Sequence, residues 1–304
     1  MIKAAVVGAD SRIAGELIRI LTGHPDVEMV CLYAPSLSGH PVSETHHGLI
    51  GAGKLVFTDR FDASVCDIVF AADDSDFGKS VVASLDGDNP RLVVIGNVCS
   101  RIAPPAGIEY GLSEINRKAL VRGASRAVVP SLPASAALIA LYPLASNLLL
   151  GSDIHIKALC DGCLAAVSNP SVSAMEISRR LSLVQASFDG NVSLDVDAGG
   201  APRQFSLQMT IRCALPMEEI LKLYDSIYDD HNFTYVVTYP VDYREVAGTD
   251  RCIVSLSKPD EASLRISVEV DAALRGGAGE AVHLMNLLFG LHEKTGLDLK
   301  ASTF

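Results

Sequence analysis

The residues with the clearest chemical potential lie in the segment 128–138, where a β-branched run ends and a helix begins. Ser131 is a good N-cap residue, and Pro133 is tolerated in a first turn because its missing N–H would have no helical partner. A helix N-terminus offers N–H groups and a positive dipole end, and enzymes often place a nucleophile there. The residue at this turn, Leu132, cannot act as a nucleophile.

Two cysteines, Cys160 and Cys163, stand three residues apart. They could form a relocated nucleophile, a redox pair or half of a zinc site whose other ligands would be Cys213 or Cys252. The simpler interpretation, which we favour, is two small residues at the end of a strand. Ser131 could supply a hydroxyl nucleophile, but helix capping explains this serine more simply.

For the other polar residues that could bind a metal or ligand, a structural role is also the simpler explanation. The adjacent side chains of His46 and His47 diverge, which favours a loop surface over a metal site. His283 is expected on a helix as a packed or half-exposed residue. The acidic run 73–76 follows a buried strand and could hold a cation, but an acidic helix N-terminus is the simpler assignment.

Continuous apolar runs indicate a doubly wound parallel sheet in the first part of the chain, because parallel strands are buried on both faces. A glycine turn and a helix follow the first run, as in the opening βαβ unit of a Rossmann-type domain. A second helix is predicted over 77–85. The predicted strands are 2–7, 27–33, 68–72, 92–95 and 127–129.

Beyond residue 153 the pattern alternates between apolar and polar residues, which is typical of a mainly antiparallel sheet with one face in water. Helices are predicted over 217–228 and 280–289. The fold class is therefore α/β, a Rossmann-type domain followed by an α+β domain. We predict a dinucleotide-binding-like domain over 1–131, completed by a returning segment 276–304, and a substrate and dimerisation domain over 132–275.

Composition limits the classes of partner. The 304 residues carry a formal net charge of −11 without a dense basic cluster, which argues against nucleic acid and anionic membranes. We find no signal peptide pattern and no apolar run of membrane-spanning length. The seven cysteines are scattered, so we expect reduced thiols in a cytoplasmic protein.

The first glycine turn leaves two interpretations open. Gly8 meets the need for a tight turn, but Ser11 and Ala14 take the next two glycine positions of a dinucleotide loop, and Gly15 comes one place late. The alternative is an ordinary βα turn without a ligand. At the end of the second strand neither an acid nor an arginine is available for the ribose; only Ser36 could contact a phosphate.

Several blocks, in order along nearly the whole chain, resemble the N-acetyl-γ-glutamyl-phosphate reductase family, which is related to aspartate-semialdehyde dehydrogenase. The most specific block is Gly276–Gly290 followed by Thr295–Leu297. The other matching blocks are Val7–Ala9, Gly15–Leu21, His24–Glu28, Gly39–Ser43 and Tyr110–Arg117.

The resemblance implies NADPH-dependent reduction of an acyl phosphate to a semialdehyde, with a cysteine that forms a thioester and a histidine as acid and base. Pro130 matches the motif around that cysteine, but Leu132 stands at the cysteine position. No histidine lies between His155 and His231, where the family's histidine belongs. Pro35 replaces the arginine expected beside the 2′-phosphate.

Two hypotheses follow from this resemblance. The first is a non-catalytic relative that retains the fold and acts as a partner, scaffold or sensor; the second is a divergent NAD(P)-dependent oxidoreductase that uses Cys160 or Cys163 on another acyl substrate. The resemblance implies a homo-oligomer, a dimer or tetramer, and an intact reductase paralogue or a pathway enzyme is a further possible partner. If NADP or NAD binds, its expected contacts are Gly8, Ser11, Ile13, Ser36 and Gly279.

Overall fold

The structure is a computed structural model, and its described residues form two compact units. The first comprises Met1–Pro130 and Gly277–Asp298, and the second comprises Ser131–Gly276 and Leu299–Phe304. The residues described are 1–85, 87, 89–97, 99–151, 153–161 and 169–301, with residue 161 described by its backbone alone.

The first unit contains a six-stranded parallel sheet with the order β2-β1-β3-β4-β6-β5. Its order reverses between β1 and β3, so the crevice outside the carboxyl ends of these strands is where such sheets bind ligands. The strands are β1 (Ile2–Val7), β2 (Val27–Tyr33), β3 (Ile68–Ala71), β4 (Arg91–Val94), β5 (Glu109–Tyr110) and β6 (Arg126–Val128). The predicted Rossmann-type class is confirmed.

Among the described residues, four α-helices belong to this unit, and local sequence determines where the first two begin. They are α1 (Arg12–Thr22), α2 (Asp76–Ser84), α3 (Ser113–Val121) and α7 (Ala278–Phe289). The side chains of Ser11 and Ser75 cap α1 and α2 by accepting from the N–H groups of Ala14 and Gly78.

The helix α7 packs on α1 and α3 within this unit. A buried hydrogen bond of 3.1 Å joins His24 Nε2 to Asn286 Oδ1. A second buried contact, 2.9 Å from His283 Nε2 to Glu293 Oε2, continues to Arg117 through the other carboxylate oxygen. His283 is therefore a packed helix residue, the first of the two placements, packed or half-exposed, that are expected from the sequence.

The second unit contains a mixed six-stranded sheet with the order β10-β11-β12-β9-β7-β8. Three of its five pairings are antiparallel, and the two outer pairings, β10 with β11 and β7 with β8, are parallel. The strands are β7 (Ile154–Asp161), β8 (Val192–Pro202), β9 (Gln204–Arg212), β10 (Thr234–Val237), β11 (Cys252–Asp260) and β12 (Ser263–Asp271). The helices are α4 (Leu132–Ser146), α5 (Pro170–Val184) and α6 (Met217–Tyr228).

The carboxylate of Asp271, at the end of β12, organises the loops of the second unit. One oxygen accepts from the Arg203 guanidinium at 2.9 Å and from the Ala273 N–H at 3.0 Å. The other accepts from the Gly248 N–H at 2.8 Å and faces the Tyr243 hydroxyl. The Asp271 side chain is 1% exposed, so these donors replace the water that the charge would otherwise bind.

We expect Asp271→Ala to lower the free energy of unfolding by about 3–5 kcal/mol, because it leaves the half-buried Arg203 guanidinium and two backbone N–H groups without their buried acceptor. Urea unfolding followed by circular dichroism measures the change. The control is Glu218→Ala, which removes an exposed helical ion pair with Lys222 and should cost less than about 0.5 kcal/mol. Equal losses in the two variants would contradict the role assigned to Asp271.

Glu269 lies on β12, where its carboxylate accepts from the Ser206 hydroxyl at 2.6 Å. Burial, reinforced by the charge of Asp242, raises the pKa of Glu269 to about 7, although hydrogen bonds from Ser206 and Gln204 oppose the shift. A carboxyl group with a raised pKa favours the folded state while it is protonated. Its ionisation therefore destabilises the protein as pH rises from about 4.5 to about 7.

We expect Glu269→Gln to flatten this part of the pH–stability profile. At pH 8 the variant should be more stable than the parent by about 2 kcal/mol, after allowance for partial exposure, and at pH 4 the two should agree. Thermal unfolding between pH 4 and pH 8 tests this, with the exposed Glu261→Gln as control. A parent protein that gains stability over this range through Glu269 would contradict the assignment.

Candidate functional site

The helix α4 begins as the sequence predicts. Ser131 has extended backbone angles, φ −65° and ψ 149°, and its hydroxyl accepts from the Ala134 N–H at 3.4 Å. Pro133 occupies the first turn, and almost every residue of α4 is buried. A buried helix N-terminus provides oriented N–H groups in a low-dielectric setting, the environment in which a thiolate or a substrate anion is stabilised.

Leu132, the first residue of α4, is only 1% exposed. Its backbone lies against Gly276, which adopts the left-handed conformation with φ +64°. A Cβ at position 276 would lie 2.5 Å from the Leu132 Cα. The glycine is therefore required twice, by its backbone angle and by the space that Leu132 leaves.

The N-terminus of α4 contacts a carboxylate from the same unit. Glu176, on α5, is 1% exposed, and its Oε1 accepts from the Ser131 N–H at 3.3 Å. A negative charge beside the N-terminal N–H groups is favourable, because it interacts with the positive end of the helix dipole. The Glu176 carboxylate therefore lies at the start of α4, where a helix N-terminus would otherwise bind an anionic ligand.

A second buried charge lies one turn further along α4. The side chain of Arg275 is fully buried, and its Nε donates to the Ser135 hydroxyl at 3.2 Å. Its guanidinium faces Asp250, with 3.7 Å between Nη1 and Oδ2, and both side chains are 0% exposed. Arg275 thus contacts both Ser135 on α4 and Asp250, and these contacts join three segments of this unit beside the first two turns of α4.

The dinucleotide-type turn of the first unit has one glycine in the required conformation. Gly8 has φ +78°, and a Cβ there would lie 2.8 Å from the Asp73 Cβ. The N–H groups of Gly8 and Ala9 both donate to the Tyr33 carbonyl. Ser11 caps α1 and Ile13 lies in its first turn, while Gly279 lies near the start of α7 in the same unit.

Three aromatic rings pack at the carboxyl end of β2. Tyr33, the last residue of β2, stacks on Phe77 with 4.5 Å between ring centroids and 21° between planes. Phe61 contacts both rings edge-on at 6.3 Å. Ser36 follows in a short 3₁₀ helix and is exposed.

The acidic run after β3 forms a capped helix start. The Asp73 carboxylate accepts from the N–H and hydroxyl of Ser75, at 2.9 and 2.6 Å. Asp74 accepts from the Asn97 N–H at 2.7 Å. Across the described part of the chain, no group of three or more His, Cys, Asp or Glu residues could hold a metal ion.

The two adjacent histidines in the loop after β2 have different environments. His46 Nε2 lies 2.7 Å from the Ala9 carbonyl, and its ring packs where a Cβ of Gly15 would stand. His47 is exposed and contacts the Ser43 carbonyl at 3.2 Å. The ring of His46 thus explains the glycine at position 15, which the loop pattern alone left unassigned.

The candidate cysteines differ in their chemistry. Cys160 is fully buried on β7, and its sulfur is in a disulfide, whereas Cys163 lies outside the described residues. The expectation of reduced thiols thus fails for Cys160. The expectation of reduced thiols holds for the described cysteines outside disulfides, which are Cys31, Cys66, Cys99, Cys213 and Cys252. Burial raises the pKa of Cys31 to about 11, which keeps that thiol protonated at neutral pH.

A family model described as semialdehyde dehydrogenase, NAD binding domain, matches residues 3–122. Over the full length of both chains, the sequence is 32% identical to N-acetyl-gamma-glutamyl-phosphate reductase of Parabacteroides distasonis. It is 31% identical to the reductase of Phocaeicola vulgatus, again over the whole of both chains. The chain belongs to the N-acetyl-gamma-glutamyl-phosphate reductase family.

Solved structures agree with this family assignment at the level of the fold. A probable aspartate-semialdehyde dehydrogenase from Pseudomonas aeruginosa matches with a TM-score of 0.71 at 16% identity, over 95% of this chain and 98% of that one. Aspartate semialdehyde dehydrogenase with NADP from Candida albicans matches with a TM-score of 0.72 at 14% identity and the same coverage. No described helix is long and apolar enough to cross a membrane.

The family model implies a nicotinamide cofactor, whose pyrophosphate and ribose ends place different demands on the described residues. The start of α1 suits a pyrophosphate, because Ser11 caps it and its first turn holds no acidic residue. At the end of β2, residues 33–36 include neither an acidic residue nor an arginine. Tyr33 presents a ring stacked on Phe77 in place of the carboxylate or guanidinium that recognises the ribose, and Pro35 follows.

Sequence patterns missed the charged residues around α4. Glu176 lies on a helix that the polar composition of its segment concealed, and Arg275 directly precedes the glycine pair that we used only as a family signature. Asp250 lies in a loop. A charged residue can be recognised as buried from the sequence only when its partner is known. These partners lie 25 to 140 residues apart along the chain.

We expect Gly276→Ala to destabilise the protein by about 3 kcal/mol, because it combines left-handed strain with a collision against Leu132. Gly248→Ala is the matched control, since Gly248 has φ +76° in the same unit but no atom within 4 Å of its Cβ position. That variant should lose only about 1 kcal/mol. Chemical denaturation compares the two, and equal losses would remove the packing role of Gly276.

Proposed function

We propose that this chain is a non-catalytic member of the N-acetyl-gamma-glutamyl-phosphate reductase family. It retains the family fold and acts through protein association, with a second copy, an intact reductase or another enzyme of the same amino-acid biosynthetic pathway in the cytoplasm. The observation that carries the proposal is Leu132, a fully apolar side chain, 1% exposed, at the first position of a buried helix N-terminus.

The family reaction needs a nucleophile at that position. Reduction of an acyl phosphate by this route begins when a sulfur attacks the acyl carbon and phosphate leaves, and the resulting thioester then accepts hydride. A leucine side chain has no lone pair to attack with. The neighbouring Ser131 hydroxyl is engaged as the helix cap, accepting from the Ala134 N–H, and is 6% exposed.

The buried carboxylate of Glu176 supports the same conclusion. It takes the favourable electrostatic position at the N-terminus of α4, beside the Ser131 N–H. An acyl phosphate or a released phosphate carries negative charge, so a fixed carboxylate within hydrogen-bond distance of this terminus opposes its binding. The poor fit of the ribose end to NAD and NADP acts in the same direction, and we derive no reaction step from either cofactor.

The second hypothesis is an oxidoreductase that uses Cys160 or Cys163 on another acyl substrate, and of these two cysteines only Cys160 lies within the described residues. The Cys160 side chain is 0% exposed and its sulfur is in a disulfide. A nucleophilic cysteine needs a thiolate that the substrate can reach.

We expect purified protein to show no turnover of N-acetylglutamyl phosphate with NADPH, and none in reverse with the semialdehyde, phosphate and NADP. A rate at least 10⁴-fold below that of the Parabacteroides distasonis reductase, about 5.5 kcal/mol in barrier height, is the expected result. The assay follows absorbance of the reduced nicotinamide. Leu132→Cys should not restore activity, since position 132 is only 1% exposed and the added thiol would be buried.

Robust turnover by the parent protein would overturn the proposal. Turnover that disappears in Cys160→Ser would establish the second hypothesis in its place. Calorimetric titration separates the two causes of inactivity: we expect no saturable binding of NADPH or NADH up to about 1 mM. Tight cofactor binding without turnover would confine the loss to the catalytic residues.

A further inference from the structure

Three side chains on one face of the second sheet have the composition of a hydrolytic triad. Ser193 and Asp195 lie two residues apart on β8, and His155 lies opposite Ser193 on the neighbouring strand β7. The residues between and beside the first two, Val192 and Leu194, are buried on the other face. Since successive side chains of a strand alternate between its faces, the serine, the histidine and the aspartate project from the same side of the sheet.

The contacts among these side chains follow the order that acyl transfer needs. His155 Nδ1 lies 2.9 Å from the Ser193 Oγ. On the other side of the ring, His155 Nε2 lies 3.4 Å from Asp195 Oδ2. A neutral ring with its hydrogen on Nε2 satisfies both contacts, because it accepts from the hydroxyl and donates toward the carboxylate. The hydroxyl therefore has a base within reach, and the carboxylate orients that base.

A small molecule can reach this cluster. The side chains of His155 and Asp195 are 51% and 68% exposed, and Ser193 is half-buried. Ser193 and Asp195 also line a groove of about 540 Å³ between α5 and β8. That volume lies within the range of sites that bind small ligands.

The free edge of β8 provides an N–H group beside the serine. The Ile154 N–H donates to the Asn191 carbonyl at 2.8 Å, so the backbone of residue 191 faces β7. Alternate residues of a paired strand direct their backbone groups to the same side, so residue 193 also faces β7 and Leu194 faces the outer edge. Among the described strands none pairs with that edge, and Leu194 lines the groove. Its N–H is placed to donate to a negative oxygen on the attacked carbon.

A cation on the opposite wall of the groove indicates the class of substrate. Arg179, on α5, lines the groove, is exposed and makes no ion pair with any other described residue. A guanidinium binds a carboxylate through two parallel hydrogen bonds. An ester whose acyl chain ends in a carboxylate would therefore meet both the serine and this arginine.

We propose that Ser193, His155 and Asp195 hydrolyse carboxylic esters, with a preference for a short acyl chain that carries a carboxylate. The Ser193 Oγ attacks the acyl carbon and gives its proton to His155. The bond from that carbon to the alcohol oxygen breaks, and the alcohol leaves with the proton from His155. Asp195 is a positioning residue, because it acts through the ring.

Water completes the cycle. It gives a proton to His155 and attacks the acyl-serine, the acid leaves, and the Ser193 hydroxyl regains its proton from His155. The sum is an ester and water converted to an acid and an alcohol, without oxidation or reduction. The residues lie apart from the start of α4, so this inference goes beyond the proposed function and does not depend on the loss of the family reaction.

The first experiment labels the full chain with a fluorophosphonate, which reacts with an activated serine hydroxyl, and locates the label by peptide mass spectrometry. We expect the label on Ser193, none at this position in Ser193→Ala, and about tenfold less in His155→Gln. Ser226→Ala removes an exposed serine on α6 and should leave the labelling unchanged. A parent protein without label on Ser193 overturns the proposal.

The second experiment measures hydrolysis of p-nitrophenyl acetate and of the p-nitrophenyl monoester of succinic acid by nitrophenolate absorbance. Ser193→Ala and His155→Gln should each lower kcat about 100-fold. Asp195→Asn should lower kcat about tenfold without a change in KM, because the carboxylate does not contact the substrate. Arg179→Gln should raise KM about tenfold for the succinyl ester alone.

His47→Gln is the control for hydrolysis by an exposed imidazole, and it should match the parent. Circular dichroism confirms that each variant is folded. A Ser193→Ala variant that retains the parental rate overturns the proposal, since the imidazole of His155 would then act without the serine. These assays contain no nicotinamide and no acyl phosphate, so their failure is distinguishable from a failure of the proposed function.

Discussion

The buried carboxylate of Asp271 is the constraint on which the second unit depends. Its oxygens accept from Arg203, Ala273 and Gly248, so one charge joins the end of β12 to two loops. Its backbone carbonyl accepts from Leu274 and Arg275, which tightens the turn that follows. That turn directs Arg275 under α4 and places Gly276 against Leu132.

This arrangement explains how the start of α4 is held in place. The contacts that hold the start of α4 are made by the Ser131 cap, by the Arg275 guanidinium on Ser135 and by the backbone of Gly276. The first two contacts do not involve the side chain at position 132, and the third meets only the backbone and Cβ of Leu132. The side chain at position 132 can therefore vary without loss of the cap or of the Arg275 contact, provided that it is small enough to be buried.

Whether a helix or strand could be predicted from the sequence depends on its length and on how clearly its apolar pattern reflects burial. Five of the six parallel strands of the first unit were predicted, because strands buried on both faces are continuously apolar, as in Ile68–Ala71, whereas the two-residue strand β5 was missed. The helix α5 was missed, because its serines and arginines dilute the apolar pattern over Pro170–Val184. The strand β10 was missed as well, since four residues are too few to show a period.

The sequence by itself determined the fold class, the family, the cap of α4 and the absence of a sulfur at position 132. These are properties of residue type and local order, which a single chain displays directly. Only the tertiary structure decided that Glu176 reaches the start of α4, that Tyr33 stacks on Phe77 and that Arg275 is buried under Ser135. Such contacts join residues far apart in the chain, and their energies depend on burial and distance, which no local pattern records.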